Sequence, residues 1–487
     1  MTALYPVLGI PLLGMPLLAL LGSIDKAGKV NVYLNGAGFL ASLWLAIEVF
    51  NNGPMTVAAG EFRIDAFNVY LVVLTTFVGL TTAIFSAPYM LNETRHGRLT
   101  PNRLRLYHTM YQGFMLAMLV VLTTNNMGVL WVAMEGATLA TVLLVSLYRT
   151  PESVEAAWKY FILCGVGIAQ ALFGTVLLYF AAGQIGTGGL GMQWSVLFEH
   201  AAELNPTVLS LAFVFLLVGY GTKIGLVPLH NWLPDAHSEG PTPMSAILSG
   251  LLLNDALYAV VRCKMLVDGS TGTHMAGYLM MGFGLLSFLV AALFLHRQRD
   301  IKRLFSYSSI EHMGMMTFAF GLGGPLATFA ALMHMTMHSL TKSAIFVTVG
   351  HAAQLAKTQQ LEKIRGLIKT QPAIGWGLLI GTAAIAGFPP FGVFTSEFLV
   401  LTATMQQFPW LTPLLLIGIG IAFAGLFRYI QPVVYGAVPE GQHPISANLW
   451  PVAVHLILVL WMGLSIPGVL SNWFDQATQT IAGSSPL

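Results

Sequence analysis

Charge is what this sequence has least of. Of its 487 residues only 22 are Lys or Arg and 20 are Asp or Glu, 9% in all, where a soluble domain carries roughly 25%. So small a supply could not solvate the surface of a water-exposed enzyme of this length. The net charge of +2 offers no basic field for nucleic acid. Cysteine is nearly absent too: Cys164 and Cys263 stand apart inside apolar segments, with no CxxC or CxxCH around them. That excludes a disulfide framework, an Fe–S site and a haem attachment, and no cofactor is expected. What is abundant is apolar length, because 56% of the residues are hydrophobic and they recur in stretches of about 20, the thickness of a bilayer's hydrocarbon core.

The chain is therefore read as an all-α, polytopic membrane protein. Apolar windows fall at 4–22, 30–50, 66–89, 107–123, 126–148, 157–182, 207–227, 241–263, 274–296, 303–321, 325–353, 374–402, 410–436 and 448–468, fourteen expected spans with no cleavable leader. Loops after odd-numbered spans hold 15 of the 22 basic residues and those after even-numbered spans hold three, Arg63, Arg262 and Lys264. The positive-inside rule then puts the odd loops in the cytoplasm and both termini outside, in a cell inner membrane. Arg95, Arg98, Arg103 and Arg105, and likewise Asp300, Lys302 and Arg303, read as anchors at the membrane surface.

The remaining cations, Lys159, Lys223, Lys342 and Arg428, fall within or at the edge of spans, and Glu48, Glu135, Asp255, Glu311 and Glu397 lie at similar depth. An ionisable group at mid-bilayer costs about 2.5–3.5 kcal/mol even on the lenient insertion scale, so each should face the protein interior. Two expected spans carry helix breakers, Lys223-Ile-Gly-Leu-Val-Pro228 in the seventh and Gly387-Phe-Pro-Pro-Phe-Gly392 in the twelfth. Proline frees backbone groups at that depth, and paired broken helices point to an ion path between inverted repeats. Lys223, His230 and His237 are spaced by seven, and His334, His338 and Lys342 by four, each set near one helical face. Histidine titrates near pH 6.5 and can pass protons through water, so these stripes suit proton relay. A metal is not expected, since no HExxH or third carboxylate completes a His pair. Glu135, alone among apolar neighbours, needs a positive partner, for which Lys223 is the candidate; Glu311 and His312 lie deep enough for the same path.

Several segments together make the chain resemble the antiporter-like membrane subunits shared by respiratory complex I, Mrp-type sodium/proton antiporters and membrane-bound hydrogenases. They are Trp131-x-x-x-Glu135, the stretch from Lys223 to Ala246 with Trp232-Leu-Pro-Asp-Ala and Gly240-Pro-Thr-Pro-Met-Ser-Ala, Arg299-Asp-Ile-Lys-Arg-Leu, Tyr307-Ser-Ser-Ile and His334-x-x-x-His338-x-x-x-Lys342. Ser146-Leu-Tyr-Arg-Thr-Pro and Ser309-Ile-Glu-His-Met-Gly are most similar to the hydrogenase-4 component F type. The resemblance implies N-terminal helices over 1–106, two inverted five-helix repeats over 107–263 and 264–436, and a C-terminal helix and tail over 437–487. It implies a carboxylate–lysine pair Glu135–Lys223 with Lys159 and His230 nearby, a second half built on His334, His338 and Lys342, and Glu397 as the terminal acid/base group. His237, Asp255, Glu311 and His312 are further relay candidates.

Such a subunit is implied to move protons, or to exchange sodium for protons, within a redox-coupled complex. It would carry no cofactor and no catalytic residue, and its partners would be other membrane subunits and a soluble hydrogenase/Fe–S module. Two alternatives share the motifs: the membrane partner of a zinc protein in inorganic-carbon uptake, and an Mrp-type antiporter component. Two departures stand out. Leu253-Asn254-Asp255-Ala256 lies where many relatives place a central Lys or His, and the tail is too short for the long lateral helix of the largest complex I relative.

Overall fold

The computed structural model describes residues 2–23, 26–184, 186, 190–272, 274–438 and 447–484. The chain opens with α1 (Leu4–Leu21) and α2 (Ala27–Asn52), followed by a two-stranded hairpin of β1 (Met55–Val57) and β2 (Phe62–Ile64). Then come α3 (Ala66–Arg95), α4 (Pro101–Thr123), α5 (Met127–Val145), α6 (Pro151–Gly183) and the short α7 (Trp194–Glu199). The middle of the chain is α8 (Pro206–Ile224), α9 (Trp232–Glu239), α10 (Thr242–Ile247), α11 (Leu253–Thr271), α12 (Met275–Phe294), α13 (Ile301–Leu322) and α14 (Gly324–Ala356). It ends with α15 (Leu367–Thr370), α16 (Pro372–Ile385), α17 (Gly392–Gln407), α18 (Thr412–Tyr435), α19 (Trp450–Leu464) and α20 (Gly468–Ala482). Apart from the hairpin, the all-α reading holds.

The helix starts follow local chemistry. Thr100, Thr150 and Asn205 each cap a helix with a side-chain oxygen, and each is followed by proline at the first helical position, where a missing N–H costs nothing. Among the described residues ten helices are long and apolar enough to cross a membrane, or eleven if α19 and α20, bent by 77°, count together. Fourteen spans were expected. The other windows do contain helices, but α13 and α14 carry the ionisable residues and α16–α17 is interrupted.

Burial is graded across the bundle. The span that begins at Thr242 is buried on every side as far as Cys263, and α14 is buried continuously from Ala327 to Ala352, whereas α1 and α6 expose apolar side chains outward. A helix apolar all round belongs in the middle of a large assembly or in lipid. Two helices meet here at backbone distance: a Cβ on Gly284 would stand 2.5 Å from the Phe318 amide nitrogen, and one on Gly314 would stand 2.6 Å from that of Phe288. Small residues at such contacts let α12 and α13 pack in a bilayer, which supplies no hydrophobic drive between helices. At the end of the chain, α20 lies across α3 and α14. Its Trp473 Nε1 donates to the Ala66 carbonyl at 3.0 Å, and Phe474 packs edge-on against Tyr70 and Phe329.

One buried ion pair ties α3 to α11. Arg262, read from sequence as a loop residue, lies inside α11 and contacts both oxygens of Asp65 at 2.8 and 2.7 Å, with Trp194, Phe67 and Tyr258 packed around its guanidinium. Asp65 also caps α3 in a reciprocal box with Asn68. Burial pushes its carboxyl upward, but the charge and hydrogen bonds of Arg262, with the Asn68 amide, hold it below the usual carboxylate range. Asp65→Asn would leave the guanidinium buried without a counter-charge, so we expect a loss of about 3–5 kcal/mol. Thermal unfolding of the detergent-solubilised protein measures this. An unchanged midpoint would mean that water replaces the carboxylate.

Candidate ion-translocation site

The first cluster forms where α8 breaks. Gly225 takes a left-handed conformation (φ 83°) and ends α8 two residues after Lys223. That leaves the lysine in the last turn, where the helix dipole favours a cation. Lys223 is fully buried; its Nζ donates to Thr138 Oγ1 and lies 3.8 Å from Glu135 Oε2, both on α5. The Tyr160 ring lies 5.7 Å from the ammonium, bonds Thr141 through its hydroxyl at 2.7 Å and stacks on Trp232. Trp232 Nε1 in turn donates at 2.8 Å to the Thr222 carbonyl at the broken end of α8. Glu135 is partly exposed, so the pair faces both the interior and the flank of the bundle.

Lys159 and His230 have partners of their own. Lys159 is half-exposed and bridges Glu155 at 2.7 Å and Asp235 at 3.3 Å; Asp235 also holds Arg303. His230 lies in the link between α8 and α9, its ring 6.2 Å from Tyr307 and 6.5 Å from Phe294.

A second, denser cluster joins α13, α14 and α17. His312 Nδ1 and His334 Nε2 share a hydrogen bond of 3.0 Å, and His334 Nδ1 meets Ser396 Oγ at 2.9 Å. His312 also lies 3.5 Å from Glu311 Oε2 and 3.9 Å from Glu397 Oε1. The His338 ring is 5.8 Å from that of His312, and one turn on Lys342 donates to the Phe305 carbonyl at 3.0 Å. All of these residues are buried. Glu397 is held against the break between α16 and α17: a Cβ on Gly387 would stand 2.1 Å from its Oε2, and Gly387 itself has φ +69°.

Between the clusters, His237 on α9 stacks on Phe346 at 4.9 Å and lies within electrostatic reach of both Lys302 and Lys342. Lys302, read as a surface anchor, is in fact buried, and its Nζ donates to the Gly240 carbonyl at 2.7 Å. Asn254 donates to Ser339 Oγ at 2.7 Å, beside a π turn over Leu248–Leu252. Asp255 is buried and makes no hydrogen bond or ion pair among the described residues. Sequence reasoning missed Thr138, Ser396 and the fit of Gly387 against Glu397. The first two had a faint signal as hydroxyls within a turn of a flagged carboxylate. The last depends on how the chain folds back at the break and has no local signal. Among the described residues no group of three or more His, Cys, Asp and Glu could hold a metal ion.

Buried carboxylates, lysines and histidines gathered at two broken helices of an apolar bundle define an ion-translocating membrane protein of the antiporter-like class. Residues 124–422 match the family described as NADH:quinone oxidoreductase/Mrp antiporter, TM, and the chain belongs to it. It is similar to the hydrogenase-4 component F homolog of Methylacidiphilum infernorum, with 47% identity covering 96% of this chain and 97% of that one. It is also similar to an Na(+)/H(+) antiporter subunit of Alkalihalophilus pseudofirmus, with 26% identity over 91% and 89%. The fold matches a chain of the membrane-bound sulfane sulfur reductase, an archaeal respiratory membrane complex, with a TM-score of 0.88 over 98% of this chain and 97% of that one at 23% identity.

Proposed function

We propose that this protein is the proton-translocating, or sodium/proton-exchanging, membrane subunit of a hydrogenase-4 or complex I-like redox-coupled assembly. Protons exchange at Glu135 and Lys223, pass by water to His237 and Lys342, and continue through His338, His334, His312 and Glu311 to Glu397. The observation that carries this reading is His312, one buried imidazole in reach of Glu311, His334 and Glu397 at once. A histidine so placed can take a proton from one neighbour and give it to another without crossing lipid. Repeats over 107–263 and 264–436 are supported by the breaks in corresponding places, and outward termini by the asymmetry of basic residues between loops.

The partner is tested by purifying the tagged chain in mild detergent and identifying what accompanies it by mass spectrometry. Nickel and Fe–S hydrogenase subunits are the expected companions. A zinc-binding soluble protein without redox subunits would move the same axis to inorganic-carbon uptake. Small antiporter subunits alone would make it part of a cation exchanger. The 47% identity to a hydrogenase-4 component F homolog, against 26% to an antiporter subunit, favours the first outcome.

A further inference from the structure

Away from the titratable axis, Arg297, Arg299, Arg365 and Arg428 line a single pocket of about 600 Å³, with Tyr429 and one carboxylate, Glu362. All four arginines are exposed, and among the described residues none makes an ion pair. The pocket is built where α12 and α18 end together. It is held in shape by Tyr429, whose hydroxyl donates to the His296 carbonyl at 2.6 Å, and by His296 Nε2 against the Ile421 carbonyl at 3.0 Å. Arg428 lies seven residues before the end of α18, about 10 Å along the helix axis, so its charge must reach outward to the headgroup layer. Below the pocket α12 exposes Leu293, four residues before Arg297, and α18 exposes Leu414 and Ile417, which share the helix face of Arg428.

We propose that this pocket is a binding site for an anionic phospholipid, the phosphate held by the arginine cluster and the acyl chains lying along α12 and α18. Guanidinium groups hold phosphate oxygens through paired hydrogen bonds. Basic pockets between helices on the cytoplasmic side are where anionic headgroups collect. Four arginines against one glutamate leave more positive charge than a single phosphate neutralises, so a diphosphatidyl lipid fits better than a monophosphate one. A lipid is favoured over an acidic protein segment because exposed apolar residues follow Arg428 along the same face of α18, which matches an amphiphile. The site stands independently of the proton-translocating function.

The test is native mass spectrometry of the intact complex after detergent exchange, titrated separately with diphosphatidylglycerol, phosphatidylglycerol and phosphatidylcholine. The wild-type chain should retain diphosphatidylglycerol first, phosphatidylglycerol next and phosphatidylcholine hardly at all. Replacing all four arginines with glutamine should lower anionic-lipid retention on the order of a thousandfold. These side chains are exposed, so folding should be unaffected, and Arg428→Gln alone should give a smaller loss. Lys26→Gln with Lys29→Gln, exposed basic residues outside the pocket, should leave retention unchanged; an equal loss there would overturn the pocket assignment. Equal retention of phosphatidylcholine, unchanged retention by the fourfold variant, displacement by inorganic phosphate as readily as by lipid, or cross-linking of a protein segment through Arg428 would each overturn the proposal.

Discussion

In the redox-coupled assembly proposed above, replacing Lys223 with alanine is expected to reduce proton movement to the level of vesicles without the complex, while electron transfer in the partner module continues. Lys223 is fully buried, holds Thr138 and lies 3.8 Å from Glu135, and among the described residues no second cation is paired with that carboxylate. Without the ammonium the first cluster keeps an acid but loses the buried cation that faces it. Lys223→Arg separates the two roles that lysine combines. Arginine preserves the charge beside Glu135 but does not give up its proton in a protein, so the variant should fold and still fail to translocate. The readout is a pH-sensitive dye inside proteoliposomes, followed alongside partner redox activity. Wild-type pumping by Lys223→Ala would remove the lysine from the path, and wild-type pumping by Lys223→Arg would reduce it to a fixed charge.

Much of this architecture is legible in the sequence because a bilayer leaves few solutions. A charge-poor, apolar chain must be helical, its polar exceptions must point inward, and breakers at depth must be matched by polar company. The expected windows accordingly fall on helices, and the spacing of His334, His338 and Lys342 puts them on one face of α14. Partnership across the fold was harder to read. Lys159 and Lys223 look alike in sequence, yet one is tied to Glu155 and Asp235 at half-exposure and the other is fully enclosed. Lys302 and Arg303 are neighbours on α13, but 100° of helix rotation sends one to the buried Gly240 carbonyl and the other to Asp235. Asp65 and Arg262 are nearly two hundred residues apart, and only the packing of α3 on α11 joins them. Asn254, read as a departure from the expected Lys or His, is clamped to Ser339 beside a π turn, a geometry with no signature in residue type.

The same dependence on packing gives the second large effect, at a residue that never titrates. Gly387→Ala is expected to cost nearly as much coupling as Glu397→Gln, though it removes no ionisable group. A methyl group on Gly387 would stand 2.1 Å from Glu397 Oε2, so the carboxylate must swing away and lose its 3.9 Å approach to His312. The left-handed conformation at Gly387 adds about 1–2 kcal/mol of strain for any residue with a Cβ. Misplacement and misfolding can be told apart by shortening the acid. In the double variant Gly387→Ala with Glu397→Asp, the methylene removed makes room for the methyl added, so proton movement should recover partly, above either single variant. Such non-additivity is the mark of two groups in contact. If Gly387→Ala pumps normally, the break is wide enough for Glu397 to keep its place. If the double variant is worse than both singles, the glycine matters for the backbone at the break and Glu397 is positioned by something else.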